Sequence, residues 1–446
     1  MDIIHSQDSL IIRFINVKYS DLLIISKYCF KVSVDDGELW YHTLTRELIY
    51  LSNKELNSIY SDKELNNYLQ DHLFLIDNSF NEKKFVDEIK SFLNLVNKTN
   101  KGIKQFIILP TTACNARCYY CYELGRKKVS MDLKTALDVA KYIIDNAQGK
   151  IEIEWFGGEP LCNTEAIDVI CKELNKNNIN YSSIMVSNAY LFDEILVKKA
   201  KTDWNLKLIQ ITIDGSEKIY NKTKSFIYKD INAYQRVLDN IELLSKEDIR
   251  VEIRLNMDNS NVDDLNELVD LLRDRFVEYK NINIYTVLLR DFGFNINEFE
   301  NKDLALDAYE NLQNKLFKMG YGTKKYINNK IQVNQCMADC DESIVILPDG
   351  RLGKCEHESE DNLIGSIYSD KKDLNMLNAW KETIEIDYCK ECLFYPDCIK
   401  LKKCAWNKDG CDEYSRKEMT INLKLKLLNE FHNFMEKENW CALLVI

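Results

Sequence analysis

Proline occurs four times and glycine fourteen times in this 446-residue chain, which leaves little material for long flexible linkers. No run approaches the eighteen or so uncharged apolar residues of a membrane span, so no membrane partner is expected. The opening MDIIHSQDSLIIRF is too acidic and polar for a secretory signal. Basic residues are also short, 59 against 71 acidic ones, and the resulting net charge of −12 argues against nucleic acid, whose phosphates need a basic face. None of the five histidines earns a catalytic assignment, and only His357 adjoins a motif. Neither an internal repeat nor a low-complexity tract is visible. These absences predict a soluble, cytoplasmic protein.

Cysteine is plentiful, with fifteen in the chain, and without a secretion signal these read as metal ligands or buried thiols rather than a disulfide scaffold. Three of them, Cys114, Cys118 and Cys121, lie in TTACNARCYYCYELG straight after the apolar run Phe106-Ile107-Ile108-Leu109. The CxxxCxxC spacing puts three thiolates on one short loop. A cubane iron–sulfur cluster has four irons, so three cysteines leave one iron open to an outside ligand. About forty residues on, the strand-like IEIEW ends in Gly157-Gly158-Glu159-Pro160. Paired glycines permit close backbone approach, and a glutamate can accept from an ammonium group.

In this order and at consecutive strand ends, the two motifs resemble the radical S-adenosylmethionine superfamily. The resemblance implies a [4Fe-4S] cluster, S-adenosylmethionine chelated to its open iron, and release of a 5′-deoxyadenosyl radical. It also implies cosubstrate contacts at Gly157, Gly158, Glu159 and Pro160, at Ser187 and Asn188 ending the third strand, at Gln210 on the fourth and at Arg254 on the fifth. Tyr120, inside the cysteine motif, is expected near the adenine. Relatives often place an arginine after the DG of the fourth strand to grip the methionyl carboxylate. Here Lys224 occupies that region, offering a point charge without the bidentate fork.

Between about 104 and 290, short β-branched runs alternate with amphipathic stretches such as MDLKTALDVAKYIIDNA and NAYQRVLDNIELLSK. The runs FIILPT, KIEIEWFGG, YSSIMVSN, KLIQITIDG, RVEIRLNMD and INIYTVLL predict an α/β fold with a parallel sheet and crossover helices. Six units are too few for a closed eight-stranded barrel and match the partial (β/α)6 barrel that the resemblance implies. Residues 101–300 are assigned to it.

Residues 301–446 are assigned to a bridging helix and a cysteine-rich domain. The eight cysteines between 336 and 411 resemble the SPASM extension with two auxiliary [4Fe-4S] clusters, three clusters in all. The resemblance gives Cys336, Cys340, Cys355 and Cys404 to an inner cluster and Cys389, Cys392, Cys398 and Cys411 to an outer one. The return of Cys404 to the first set comes from the family alone. Cys336 and Cys340 are closer than in some members, and five residues rather than three separate Cys398 from Cys404. Taken alone, such cysteine pairs also suit tetrahedral zinc. Glu356, next to Cys355, stands where the sulfatase-maturase branch puts a proton acceptor.

Residues 1–100 read as two strands turning at Asp35-Asp36-Gly37, a third strand, and helices from Asn53, KELNNYLQDHL and EKKFVDEIKSFLNLV. The pattern resembles the winged-helix-like leader-binding α+β domain of enzymes that modify ribosomally made peptides. Expected partners are a precursor peptide with its leader and a reductant such as flavodoxin or ferredoxin, in an anaerobic setting. The expected activity is formation of an intramolecular carbon–carbon or thioether crosslink. Formylglycine formation in sulfatases and peptide epimerisation are alternatives. A non-catalytic zinc-binding interaction module is another, and iron and sulfide analysis of anaerobically prepared protein separates it from the enzyme readings.

Overall fold

The computed structural model describes residues 1–5, 22–97, 102–229, 232–289, 301–322, 331–357, 362–407 and 411–443. Strands β1 (Asp2–His5), β2 (Leu23–Ile25), β3 (Cys29–Val34), β4 (Gly37–His42), β5 (Leu48–Ser52) and β6 (Leu75–Asp77) open the chain. They form an antiparallel sheet in the order β1-β5-β4-β3 and a β2-β6 ribbon. The turn at Asp35-Asp36 falls where the sequence predicts it. A helix does start at Asn53, but it is a single turn, Asn53–Leu56, under a Ser52–Glu55 capping box. Helices Lys63–Asp71 and Glu82–Asn97 follow. Trp40, Ile49 and Leu51 bury Leu65, Leu69 and Phe74 on one side of the sheet. On the other side Val32, Leu39, Tyr41 and Leu48 enclose Leu427 of the last helix, Glu413–Leu443.

Next come β7 (Ile103–Thr111), β8 (Ala147–Gly157), β9 (Tyr181–Ser187), β10 (Leu206–Thr212), β11 (Arg250–Met257) and β12 (Ile282–Leu288), the six runs expected. They lie side by side in chain order and all parallel. Parallel neighbours require a crossover, and helices such as Leu133–Asn146, Thr164–Lys176 and Val262–Phe276 provide it. Alternation then decides the faces. Phe106, Ile153, Met185, Ile209, Ile253 and Ile284 are buried in the main core against the helices. The opposite face carries Gln105, Glu152, Glu154, Gln210, Glu252, Arg254 and Tyr285.

β12 does not pair with β7, so the barrel stays open. The free edge of β7 is instead covered by β13 (Ser343–Ile346), which runs parallel to it, with β14 (Arg351–Gly353) and β15 (Gly365–Ser366) beyond. The segment after 300 therefore extends the barrel sheet to nine strands rather than standing apart, and it pairs backbone groups an edge strand would leave exposed. The 31-residue helix Glu413–Leu443, unforeseen in the sequence, joins the amino-terminal sheet to helix Lys302–Lys318. Phe431 stacks on Tyr50 at 5.4 Å, while Asn422 accepts from Tyr309 at 2.8 Å and Lys424 pairs with Glu310 at 2.7 Å on helix Lys302–Lys318. Among the described residues no helix is long and apolar enough to cross a membrane.

Leu427 is 0% exposed between the amino-terminal sheet and this helix. Leu427→Ala should destabilise that packing by about 2–5 kcal/mol and lower the urea midpoint of the amino-terminal unit. An unchanged midpoint would show that the helix is not what holds the sheet.

Candidate active site

Beyond Thr111 the chain leaves β7, turns through the three cysteines and returns, with Thr112 N–H donating to Val129 O at 2.9 Å. The end of β8 lies directly on this loop. Gly158 N–H donates to Thr111 O at 3.1 Å and Glu159 N–H to Ala113 O at 2.9 Å. Gly157 sits at φ +109°, and a Cβ there would come within 2.4 Å of Thr111 O; one on Gly158 would come within 2.4 Å of Ala113 O. Only glycine allows that approach. From the other side, Arg117 N–H donates to Lys224 O at 2.7 Å and Ile227 N–H to Asn115 O at 2.9 Å.

The three thiols are brought together. Burial first, then Glu159 and the neighbouring Cys118 and Cys121, pushes the Cys114 thiol up to about 12. Burial likewise raises Cys118, against the pull of Lys224, and raises Cys121. Thiols so placed stay protonated unless a metal stabilises the thiolate, which is the donor set a cluster requires.

The floor is a buried polar network. Tyr120 OH donates to Asp214 Oδ2 at 2.7 Å and accepts from Lys224 Nζ at 2.9 Å, and Lys224 pairs with Asp214 at 2.9 Å. Burial alone would lower Lys224, but Asp214 and Tyr120 overcome it and hold the ammonium charged. Lys224 is thus at the site, already paired with Asp214, the aspartate of the DG that ends KLIQITIDG. Asp214 Oδ1, Asn115 Nδ2 and Tyr220 OH are buried without a hydrogen-bond partner among the described residues. These orphaned groups fit an amino acid with an ammonium and a carboxylate.

Glu159 is 1% exposed. Its carboxylate accepts from Ser187 Oγ at 2.7 Å, Asn188 N–H at 2.8 Å and Leu161 N–H at 3.2 Å, and burial lifts it to about 6. Asn188 donates to Asn115 Oδ1 at 2.7 Å, so the GGEP turn, the third strand end and the cysteine loop form one unit. Pro160 is buried in the first turn of Pro160–Asn163. Gln210 and Arg254 sit farther along the sheet, where Gln210 accepts from Tyr285 OH at 2.6 Å and Arg254 donates to Asn256 at 2.9 Å.

Burial raises Tyr122, next to Cys121, as well as Cys336 and Glu154 of β8, and the charge of Glu356 adds to each of these shifts. His357 lies 3.4 Å from Glu356 and packs on the Tyr122 ring at 4.3 Å. Glu154 escaped the sequence reading because alternation in IEIEW resembles an ordinary solvent-facing strand. Burial first, then Glu356 and Glu152, raises it to about 7.

In the carboxyl-terminal part, burial and the nearby Cys404 raise Cys336, and Gln335 Nε2 donates to Cys404 Sγ at 3.5 Å. Cys389, Cys392 and Cys411 form a second group, and Cys398 is influenced by Cys392 and Cys411. Cys340 and the outer four line one cavity, and Cys355 lies half-buried beside the main core. Among the described residues no three His, Cys, Asp or Glu side chains converge on one metal ion. A cubane asks for less convergence, since each thiolate binds a different iron. Of the four remaining cysteines, Cys171 is buried and Cys29 half-buried, while Cys162 is exposed in the Pro160–Asn163 turn with its thiol accepting from the Asn115 backbone of the cysteine loop. The side chain of Cys441 lies outside the described residues.

Residues 108–272 match the Radical SAM superfamily. Radical SAM cyclopropyl synthase TigE of Paramaledivibacter caminithermalis is 25% identical over 359 residues, 69% of this chain and 72% of that protein. An uncharacterised protein of Methanocaldococcus jannaschii is 36% identical over 118 residues, 26% of this chain and only 40% of its own length. Among solved structures, SuiB of Streptococcus suis bound to precursor peptide SuiA has a TM-score of 0.54 at 13% identity, covering 88% of this chain and 99% of that one. anSMEcpe with bound AdoMet and the Cp18Cys peptide has a TM-score of 0.56 at 17% identity, covering 76% and 99%. These likenesses establish the fold.

The raised Glu154 carries a pH signature. A carboxyl at about 7 in the folded chain and near its usual 4.5 when unfolded keeps a proton in that window only while folded. Stability therefore falls as pH rises through it. In Glu154→Gln the drop in thermal midpoint between about pH 5 and about pH 8 should be smaller than in the parent; an equal drop would contradict this.

Proposed function

Taking residues 108–272 as a Radical SAM superfamily domain, we propose that the chain is a peptide maturase. It removes a hydrogen atom from a residue of a precursor peptide and closes a crosslink within that peptide. The observation that carries this reading is that Glu356, next to Cys355, lies 3.4 Å from His357, whose ring packs at 4.3 Å on Tyr122 of the radical-site loop.

When bound on Cys114, Cys118 and Cys121, the cluster supplies the electron that cleaves S-adenosylmethionine to a 5′-deoxyadenosyl radical. The chain's own residues bind and orient the cosubstrate. Gly157 to Pro160 shape the turn beside the cysteines, Lys224 and Asp214 offer one charge of each sign, and Ser187, Asn188, Gln210 and Arg254 supply polar groups along the strands. Tyr120 borders the adenine position. Once the peptide has lost a hydrogen atom, a crosslink still requires removal of one proton and one electron. Glu356 takes the proton; Cys336, Cys340, Cys355 and Cys404, and Cys389, Cys392, Cys398 and Cys411, would hold the auxiliary clusters, whose chemistry when bound would be uptake of that electron. Full cysteine ligation of both sets would leave no iron for a substrate thiolate and would favour carbon–carbon over thioether closure.

The amino-terminal unit supports a peptide substrate. β3 is an outer strand of its sheet, suited to receive a leader strand. SuiB, similar over most of this chain, has been solved with a precursor peptide, and TigE is a named synthase of the same superfamily. A flavodoxin or ferredoxin would be the reductant.

With S-adenosylmethionine and reductant, the reconstituted chain should form 5′-deoxyadenosine, and a short peptide encoded beside it should lose two hydrogens by mass spectrometry. Cys118→Ala should lose both activities. Glu356→Gln should keep deoxyadenosine formation and slow peptide product by about 10²-fold or more. Robust deoxyadenosine with an untouched peptide would point to another substrate, and an unaffected Glu356→Gln would remove the proton acceptor.

A further inference from the structure

The cavity lined by Cys389, Cys392, Cys398 and Cys411 measures about 560 Å³, and part of its wall comes from far away in the sequence: Lys90, Leu93 and Asn94 of helix Glu82–Asn97. Lys90 Nζ donates to the carbonyl of Tyr395 at 2.5 Å and to that of Cys398 at 3.1 Å, and it stands 4.1 Å from the Tyr395 ring centre. The rest of the loop is gripped by the same unit. Thr43 Oγ1 donates to Leu393 O at 2.8 Å, Arg46 pairs with Asp397 at 2.5 Å, and Lys83 donates to Tyr395 OH at 3.0 Å. Tyr395 OH in turn donates to Asp87. Tyr395 is 8% exposed and packs with Tyr28, Leu44 and Val86.

A plain brace between two parts of a chain needs apolar packing and neutral hydrogen bonds. It does not need an ammonium group at the backbone of a cysteine beside a cavity. We propose that Lys90 is an outer-shell cation of the outer auxiliary cluster, so that the amino-terminal unit completes that cluster's cage and sets its reduction potential. This rests on the reading above that Cys389, Cys392, Cys398 and Cys411 hold a cluster. Reduction adds negative charge to an anionic centre, and a nearby cation stabilises the reduced form, so removing it drives the potential more negative. The unit proposed to hold the leader would thereby also govern how readily the outer cluster passes an electron.

The test uses the reconstituted full chain and redox titration followed by electron paramagnetic resonance. The outer cluster's signal is the one lost, together with about four irons, in Cys389→Ala/Cys392→Ala. In Lys90→Met that signal should titrate at a more negative potential with iron content retained, and Lys90→Arg should bring it back toward the parent value. Should Lys90→Met fail to fold, Leu93→Arg adds a cation to the same wall and should shift the potential the other way. A potential unmoved by these changes overturns the proposal. Loss of no iron in the cysteine variant overturns the cluster reading and this proposal with it.

Discussion

The approach of the β8 end to the cysteine loop is the constraint on which the rest depends. Gly157 and Gly158 have no side chain to keep the two backbones apart, so the loop is pinned by main-chain bonds to Thr111 and Ala113. From that contact Glu159 reaches Ser187 and Asn188, and Asn188 reaches back to Asn115 in the loop. Three strand ends and three cysteines thereby hold one geometry before any cofactor arrives. That preorganisation matters because the loop itself is short of regular structure and its thiols resist ionisation.

Charge is distributed against the average of the chain. The protein is acidic overall, yet each cysteine set has a lysine placed inside the fold. Lys224 adjoins Cys118, Lys354 donates to Cys340 O at 2.6 Å, and Lys90 donates to Cys398 O at 3.1 Å. Lys354 is 4% exposed, and burial lowers it to about 8. Thiolate-ligated clusters are anionic, and a desolvated cation nearby offsets that charge far better than a surface lysine would. Lys224 differs from the other two in having a buried carboxylate partner, Asp214, which suits a site that must also receive a charged small molecule.

Much of this was legible because local pattern and long-range structure agree. β-Branched runs and 3.6-residue periodicity gave all six barrel strands and their crossovers, and the glycine pair at 157 and 158 announced a close backbone approach. Contacts between distant segments were not legible. Lys90 sits on an unremarkable amphipathic helix, and its carbonyl partner Cys398 lies 308 residues away. Glu154 alternates with apolar neighbours as a solvent-facing residue does, because the inner face of an open barrel and a wet sheet face share the same period of two. The pairing of β13 with β7 likewise depends on which edge is free in the folded sheet. Helix Glu413–Leu443 gave little notice of itself, for its apolar residues meet different neighbours along its length and form no single stripe.

The central claim is that Cys114, Cys118 and Cys121 hold a cluster with one iron left for S-adenosylmethionine. Electron paramagnetic resonance of the reduced, anaerobically reconstituted chain, with and without S-adenosylmethionine, tests it most directly. A cluster signal that changes on addition of S-adenosylmethionine and is absent from Cys118→Ala is the predicted result. The absence of any signal that responds to S-adenosylmethionine, or the persistence of the responding signal in Cys118→Ala, would contradict the account.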